Sequence, residues 1–264
     1  MADAGRHHLA AFLSKVARPQ GRLPESQSAQ LFSQLVAALE HLHHRLAVVH
    51  RDLKPENVMI SVGKKGKEKG EGQGFSLKLK LIDFGFAALI EDPPEDPESK
   101  APVALCTSHK GSLEFMAPEL LAPCLFYDAV KSDLYSLGAL LYFTLHGVAP
   151  FVVAEEAEDS GSSALSVGAL IDRYRRLKVE TALCYPLLER GGKGGNSGGK
   201  PKKKKKKSAV SSQAQGLMNS LMAVKPEDRP PLSAVLKSQW LAEKCAKQNS
   251  SSADICKSPS TESF

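Results

Sequence analysis

From residue 25 the apolar positions Leu31, Leu35, Leu39, Leu42 and Leu46, joined by Phe32 and Val36, recur at helical spacing and predict one long amphipathic helix. A shorter apolar run at 9–16 predicts a small helix that Pro19 and Pro24 break. Val48-Val49 and residues 58–60 are β-like, and 77–82 alternates as a strand, so 58–60 and 77–82 are expected to pair as a hairpin. The stretch 134–145 is apolar on all sides and predicts a buried helix ended by Gly147, too short for the about 20 residues that a bilayer requires. Further helices are expected at about 166–179, with Leu170, Ile171, Tyr174 and Leu177 on one face, and from Ser211 through Leu217, Met218, Leu221 and Met222. A last helix carries Val235, Leu236 and Trp240.

Between these elements the pattern lapses. Residues 63–74 (Lys, Gly and Glu), 91–102 (acidic and proline-rich), 152–163 (acidic and serine-rich) and 191–207 are too polar to pack and read as flexible insertions in one domain spanning 1–245. From 246 the serine-rich tail reads as disordered.

Composition adds limits. A chain of 264 residues with 42% hydrophobic content can sustain one sizeable core. The net charge of +6 comes largely from lysine-rich tracts, so it says little about the folded part. Six consecutive lysines at 202–207 are a nuclear address, a nucleic-acid contact or a solvated run; no aromatic residues interleave with them, which argues against base stacking and makes nucleic acid an unlikely partner. Five cysteines without CxxC spacing or a secretory segment fit a reducing compartment, so the expected location is cytoplasmic, with the nucleus as the alternative the lysines add. No membrane association is expected. The histidines at 41, 43 and 44 end the long helix, where the dipole favours them over a metal role.

The candidate chemistry is concentrated in His50-Arg51-Asp52-Leu53-Lys54-Pro55-Glu56-Asn57, followed after the expected hairpin by Asp83-Phe84-Gly85. A carboxylate, a cation two positions on and an amide three beyond supply a proton acceptor, a phosphate partner and a metal ligand. Those three groups are what moving a phosphoryl group needs.

These words resemble the catalytic and magnesium-binding loops of eukaryotic protein kinases, with Lys54 in the serine/threonine form, and the chain is similar to the calmodulin-dependent and cyclic-nucleotide-dependent groups. The resemblance implies Asp52 as acceptor of the substrate hydroxyl proton, Lys54 at the γ-phosphate of ATP, and Asn57 with Asp83 as ligands of Mg2+. Met59 then lies beneath the adenine, or simply fills the core. Thr107 and Ser108 fall where kinases carry an activating phosphate that pairs with Arg51, and Ser112 falls beside the acceptor. Leu113 stands where proline is usual. Asp133 opens the central helix as a cap and braces the catalytic loop, and Glu119 of Ala117-Pro118-Glu119 pairs with buried Arg229. Glu56 is a candidate contact for basic substrate residues. The implied partner is a protein with a Ser or Thr acceptor; the oligomeric state is left open.

Upstream of residue 50 there is no Gly-x-Gly-x-x-Gly turn and no Val-Ala-x-Lys strand. The expected fold is therefore α+β, mainly α-helical: a protein-kinase-like C-terminal lobe with a small β-hairpin and the N-terminal β-lobe absent. The expected function is a serine/threonine kinase in a truncated or incomplete copy, with a noncatalytic interaction module, or a lysine-tethered nuclear or nucleic-acid adaptor, as alternatives.

Overall fold

The computed structural model describes residues 7–15, 21–64, 75–90, 103–105, 112–122, 126–153, 166–183 and 210–249. The elements run β1 (His7–His8), α1 (Leu9–Lys15), α2 (Glu25–Glu40), β2 (Val48–Val49), β3 (Val58–Lys64), β4 (Phe75–Leu81), β5 (Ala88–Leu89), β6 (Val103–Leu105), β7 (Phe126–Asp128), α3 (Ala129–His146), α4 (Val167–Glu180), α5 (Ser212–Leu221), α6 (Leu232–Leu236) and α7 (Gln239–Asn249).

The apolar stripe of α2 lies in the core, with Leu31, Phe32, Leu35, Val36 and Leu39 all buried. The helix does not run on unchanged to Leu46. Its last turn, His41–Arg45, widens to a π-helix closed by the Leu46 amide on the His41 carbonyl at 3.1 Å, which leaves Leu46 52% exposed. That turn swings His43 inward, where it is buried.

α3 is the axis of the core and buries residues around its whole circumference. Two of its hydroxyls reach back to the preceding turn: Thr144 Oγ1 donates to the Leu140 carbonyl at 2.7 Å, and Ser136 Oγ lies 3.3 Å from the Ser132 carbonyl. The N-cap is Asp128, whose carboxylate accepts from the Lys131 amide. Asp133 sits in the second turn, so the capping half of its expected role belongs to Asp128. Gly147 closes the helix at φ 77°, a left-handed position that glycine takes without a Cβ penalty. α2 and α3 pack together, and α5, α6 and α7 complete the helical layer. Trp240 of α7 meets Phe32 of α2 edge-on at 5.9 Å.

Glu25 fastens three helices at their ends. One carboxylate oxygen accepts from the Ser211 amide at 2.6 Å; the other takes Ser211 Oγ, Trp240 Nε1 and Lys244 Nζ at 2.9, 3.0 and 2.9 Å.

The β-structure is larger than one hairpin. β1, β3 and β4 form an antiparallel sheet with β3 in the middle, His7 opposite Ile60 and Val58 opposite Leu81, while β2 pairs with β5 and β6 with β7. Val58, Ile60 and Leu77 point into the core against α1 and α2. Gln34 of α2 covers the outer edge of β4, donating to the Leu77 carbonyl at 2.9 Å and accepting from the Leu79 amide at 3.1 Å. The expectation of a helical lobe with one hairpin and no N-terminal β-region is thus corrected: a β-region drawn from β1 to β6 packs on the helical body, and its first strand lies near the start of the chain. Apart from Val48-Val49, whose β-branched pair reads as β-like, strands of two or three residues are too short for a period-2 pattern to register, and His7-His8 has no apolar alternation at all.

Of the expected insertions, residues 65–74, 91–102, 154–163 and 191–207 lie outside the described residues. The last helix runs to Asn249, past the boundary expected at 245, and 250–264 lie outside the described residues as well.

Candidate active site

Residues 50–57 link β2 to β3 across a loop that has no sheet ladder of its own, and Asp133 supplies its partners. The Asp133 carboxylate accepts from the His50 amide on Oδ2 and from the Arg51 amide on Oδ1, both at 2.9 Å. His43 Nε2 meets the same Oδ2 at 2.9 Å, and both side chains are buried. One buried carboxylate on α3 therefore joins the π-turn after α2 to the start of the loop. Arg51 is held at φ 65°, a conformation that costs a non-glycine residue about 1–3 kcal/mol and persists where its surroundings over-determine it.

Asp52 is buried and its side chain is oriented from two sides. Lys54 Nζ lies 2.7 Å and Asn57 Nδ2 2.9 Å from Asp52 Oδ2, and Asn57 Nδ2 also donates to the Asp52 carbonyl at 2.8 Å. Both contacts fall on Oδ2, so Oδ1 is the oxygen left to face a reactant. Asn57 Nδ2 is spent on Asp52, which leaves its side-chain carbonyl oxygen as the group able to coordinate a cation.

Register carries Asp83 to the same end of the hairpin. Val58 pairs with Leu81, and the Ile82 amide donates to the Asn57 carbonyl at 3.0 Å, so Asn57 precedes β3 where Asp83 follows β4. Asp83 is exposed at φ 62°, and its Oδ1 accepts from the Gly85 amide at 3.2 Å. Two residues of the catalytic loop tie this turn down: His50 Nε2 contacts the Ile82 carbonyl at 3.2 Å, and Arg51 Nε donates to the Phe86 carbonyl at 2.6 Å. His50 and Phe84 rings lie 5.0 Å apart. Met59 is on the outer face of β3, half-buried, with His8 and Lys80 opposite it; it does not fill the core.

The donor set fits Mg2+. One exposed carboxylate and one oriented amide oxygen are the hard-oxygen, few-ligand set that magnesium takes beside phosphate, and no group of three or more His, Cys, Asp or Glu able to hold a metal occurs among the described residues.

A narrow cleft is lined by Arg51, Asp52 and Lys54 together with Ser112, Phe115 and Met116, so Ser112 does stand beside the catalytic loop. Glu56, in the same loop, is exposed. Thr107 and Ser108 lie outside the described residues, as do the side chains with which a phosphate pairing to Arg51 would be built. Below the cleft, Glu119 and Arg229 form a bidentate pair at 2.6 and 2.7 Å, and Arg229 further donates to the carbonyls of Ala223, Val224 and Lys131. Arg229 is buried and lies 5.1 Å from the Tyr135 ring.

Three residues carry structural weight that sequence reasoning did not give them. His43 reads as a helix-end histidine, yet it flanks Leu39 and Leu42 on the buried side and reaches Asp133. Ser136 Oγ donates to the Phe115 carbonyl at 2.9 Å. Lys178, one turn beyond Tyr174 on α4, is buried against the turn that holds Ser112; its signal is only that i and i+4 share a face.

A carboxylate with one oriented oxygen, a lysine on its flank, and an amide and a second carboxylate at one hairpin end are the groups that phosphoryl transfer of the protein-kinase kind requires. The comparisons agree. The protein kinase domain model matches residues 4–241, and the chain belongs to that family, as a serine/threonine protein kinase. It is 32% identical over 225 residues to ribosomal protein S6 kinase alpha-4 of Mus musculus, covering 85% of this chain and 23% of that protein. It is 29% identical over 226 residues to sperm motility kinase 3A of Mus musculus, covering 86% and 33%, and 40% identical over 138 residues to CBL-interacting protein kinase 16 of Oryza sativa subsp. japonica, covering 52% and 25%. The chain thus spans about a quarter to a third of the length of these relatives.

The match from residue 4 to residue 241 corrects two expectations: that the resemblance stops at a C-terminal lobe, and that the function is that of a truncated copy. The kinase domain takes in the β-region together with the helical body. Sequence words failed here because the expectation hung on two short motifs, whereas a family model weighs every position. The family uses ATP and Mg2+ and a protein substrate with a Ser or Thr acceptor. No helix among the described residues is long and apolar enough to cross a membrane.

Proposed function

We propose that this site transfers the γ-phosphoryl group of Mg-ATP, in line, to a Ser or Thr hydroxyl of a protein. The observation that carries the reading is the pair of contacts from Lys54 and Asn57 to one oxygen of Asp52, at the hairpin end that also bears Asp83.

Asp52 Oδ1 accepts the proton as the acceptor oxygen bonds to phosphorus and the bond from phosphorus to the β–γ bridging oxygen breaks. A positioned base of this kind contributes about a hundred- to ten-thousand-fold, so orientation and charge must supply the rest. The Lys54 ammonium, already beside Asp52, offsets charge on the γ-phosphate oxygens. Asn57 and Asp83 would hold Mg2+, which would supply positive charge against the phosphates. Met59, outward on β3, supplies an apolar surface under the adenine. Glu56, exposed on the same loop, favours basic residues near the acceptor.

Ligand that binds the native state raises the melting temperature. Millimolar Mg-ATP is therefore expected to raise it by several degrees, ATP with EDTA by less, and Asp83→Asn is expected to remove the difference between the two. Equal shifts with and without Mg2+ in the wild type would contradict the metal assignment.

A further inference from the structure

The turn at 112–116 faces the catalytic loop but has no ladder to fix it. Its carbonyls are nevertheless all engaged. The Ser112 carbonyl accepts from the Phe115 amide at 3.0 Å, and that of Phe115 from Ser136 Oγ at 2.9 Å. The remaining three, from Leu113, Glu114 and Met116, accept from a single group: Lys178 Nζ, at 2.5, 3.2 and 2.5 Å.

An ammonium has three donors, and here three carbonyls use them all. The group is 97% hidden from solvent and boxed by the rings of Tyr135, Phe151 and Tyr174 at 5.4, 6.0 and 5.9 Å. A lysine in such a place adds nothing to solubility, and no carboxylate among the described residues forms an ion pair with it. Its partners are backbone oxygens of one turn. That turn also has leucine at 113, so no proline ring fixes the backbone there.

We infer that Lys178 is the positioning residue of the acceptor-side turn: from α4 its ammonium sets the backbone at 113–116, and thereby the place of Ser112 and the acceptor hydroxyl relative to Asp52. The backbone role stands on the contacts alone; the consequence for the acceptor rests on the phosphoryl-transfer reading above.

Burial pushes the Lys178 amine down to about 7, while Glu114 and Glu119 pull it up. The other groups around it are Tyr174, whose hydroxyl donates to Glu114 at 3.3 Å, Tyr135, and Arg229 beyond the Tyr135 ring. A neutral amine keeps two donors for three carbonyls. The turn therefore loses one partner as pH rises through neutrality.

The test uses the full chain and Lys178→Met, with Lys178→Gln as a second variant that keeps two donors. Backbone amide exchange is read over 112–118 with α5 as internal reference, and initial rates are read on a serine peptide chosen from a synthetic library. Lys178→Met is expected to speed exchange of the turn about tenfold with α5 unchanged, and Lys178→Gln is expected to fall between it and wild type. The peptide KM is expected to rise about tenfold with the KM for ATP unchanged. In the wild type the peptide KM should climb between pH 6.5 and 8.5, and in Lys178→Met that climb should vanish. Unchanged exchange of the turn, loss of α5 protection in both variants, or a peptide KM unaltered while the wild type is active would overturn the proposal. Should the wild type transfer no phosphate at all, the kinase reading fails at that step, and the exchange data still decide whether Lys178 fixes the turn.

Discussion

Asp133 illustrates how one residue can govern a site that it does not enter. It lies 82 and 83 positions from the two amides that it accepts and 90 from His43, so nothing local in the sequence announces those contacts. Asp52, Lys54 and Asn57 are the opposite case: they sit within six residues, their chemistry is contained in one loop, and their mutual contacts could be anticipated from spacing. The Asp133 account predicts a specific cost. Asp133→Ala strands two backbone donors and His43 out of reach of water, and each such group costs about 1–3 kcal/mol, so urea denaturation should show a loss of at least about 2 kcal/mol. A variant as stable as the wild type would mean that Arg51 keeps its left-handed conformation for some other reason.

The long helices were legible as elements because amphipathic or all-apolar runs of ten or more residues leave a clear period. Boundaries set by side-chain caps were also readable: Ser166 and Ser211 accept the amides of Ala169 and Ala214 at the starts of α4 and α5. What escaped were β1, β5, β6 and β7, strands of two or three residues, the π-turn at the end of α2, and the burial of Lys178, which tertiary packing decides; Val48-Val49, the β2 strand, was legible as β-like. Glu25 belongs to this scale, since it joins the start of α2 to α5 and α7. Burial raises its pKa, but the bonds from Lys244, Ser211 and Trp240 outweigh that and hold it below the usual glutamate value of 4.5. A depressed folded value means stability that is present above 4.5 and lost as pH falls through the folded value. Melting temperature followed downward from pH 6 should therefore drop below about pH 4.5, and Glu25→Gln should start lower and show a shallower drop. Parallel curves for the two proteins would remove Glu25 from the acid response.

At the scale of the molecule, the helical body acts as a frame for one loop. α2 delivers it, α3 braces it through Asp133, the β3–β4 hairpin brings Asp83 to the end of the hairpin beside Asn57, and Lys178 of α4 donates to the turn opposite. The bidentate Glu119–Arg229 pair anchors that turn to the base of the body; breaking such a buried pair costs about 3–5 kcal/mol because the partner charge is stranded. The site words were readable because catalysis needs fixed residue types at short spacing. The extent of the domain was not, because the β-region makes its case through many weak positions instead of a few strong ones. The most direct measurement is transfer of labelled γ-phosphate from Mg-ATP to a Ser/Thr peptide library by the 264-residue chain, beside Asp52→Asn. The account predicts Mg2+-dependent label on Ser or Thr, reduced at least about a hundredfold in Asp52→Asn with an unchanged melting temperature. Transfer that survives the Asp52 substitution, or none above background from a folded wild-type protein, would contradict it.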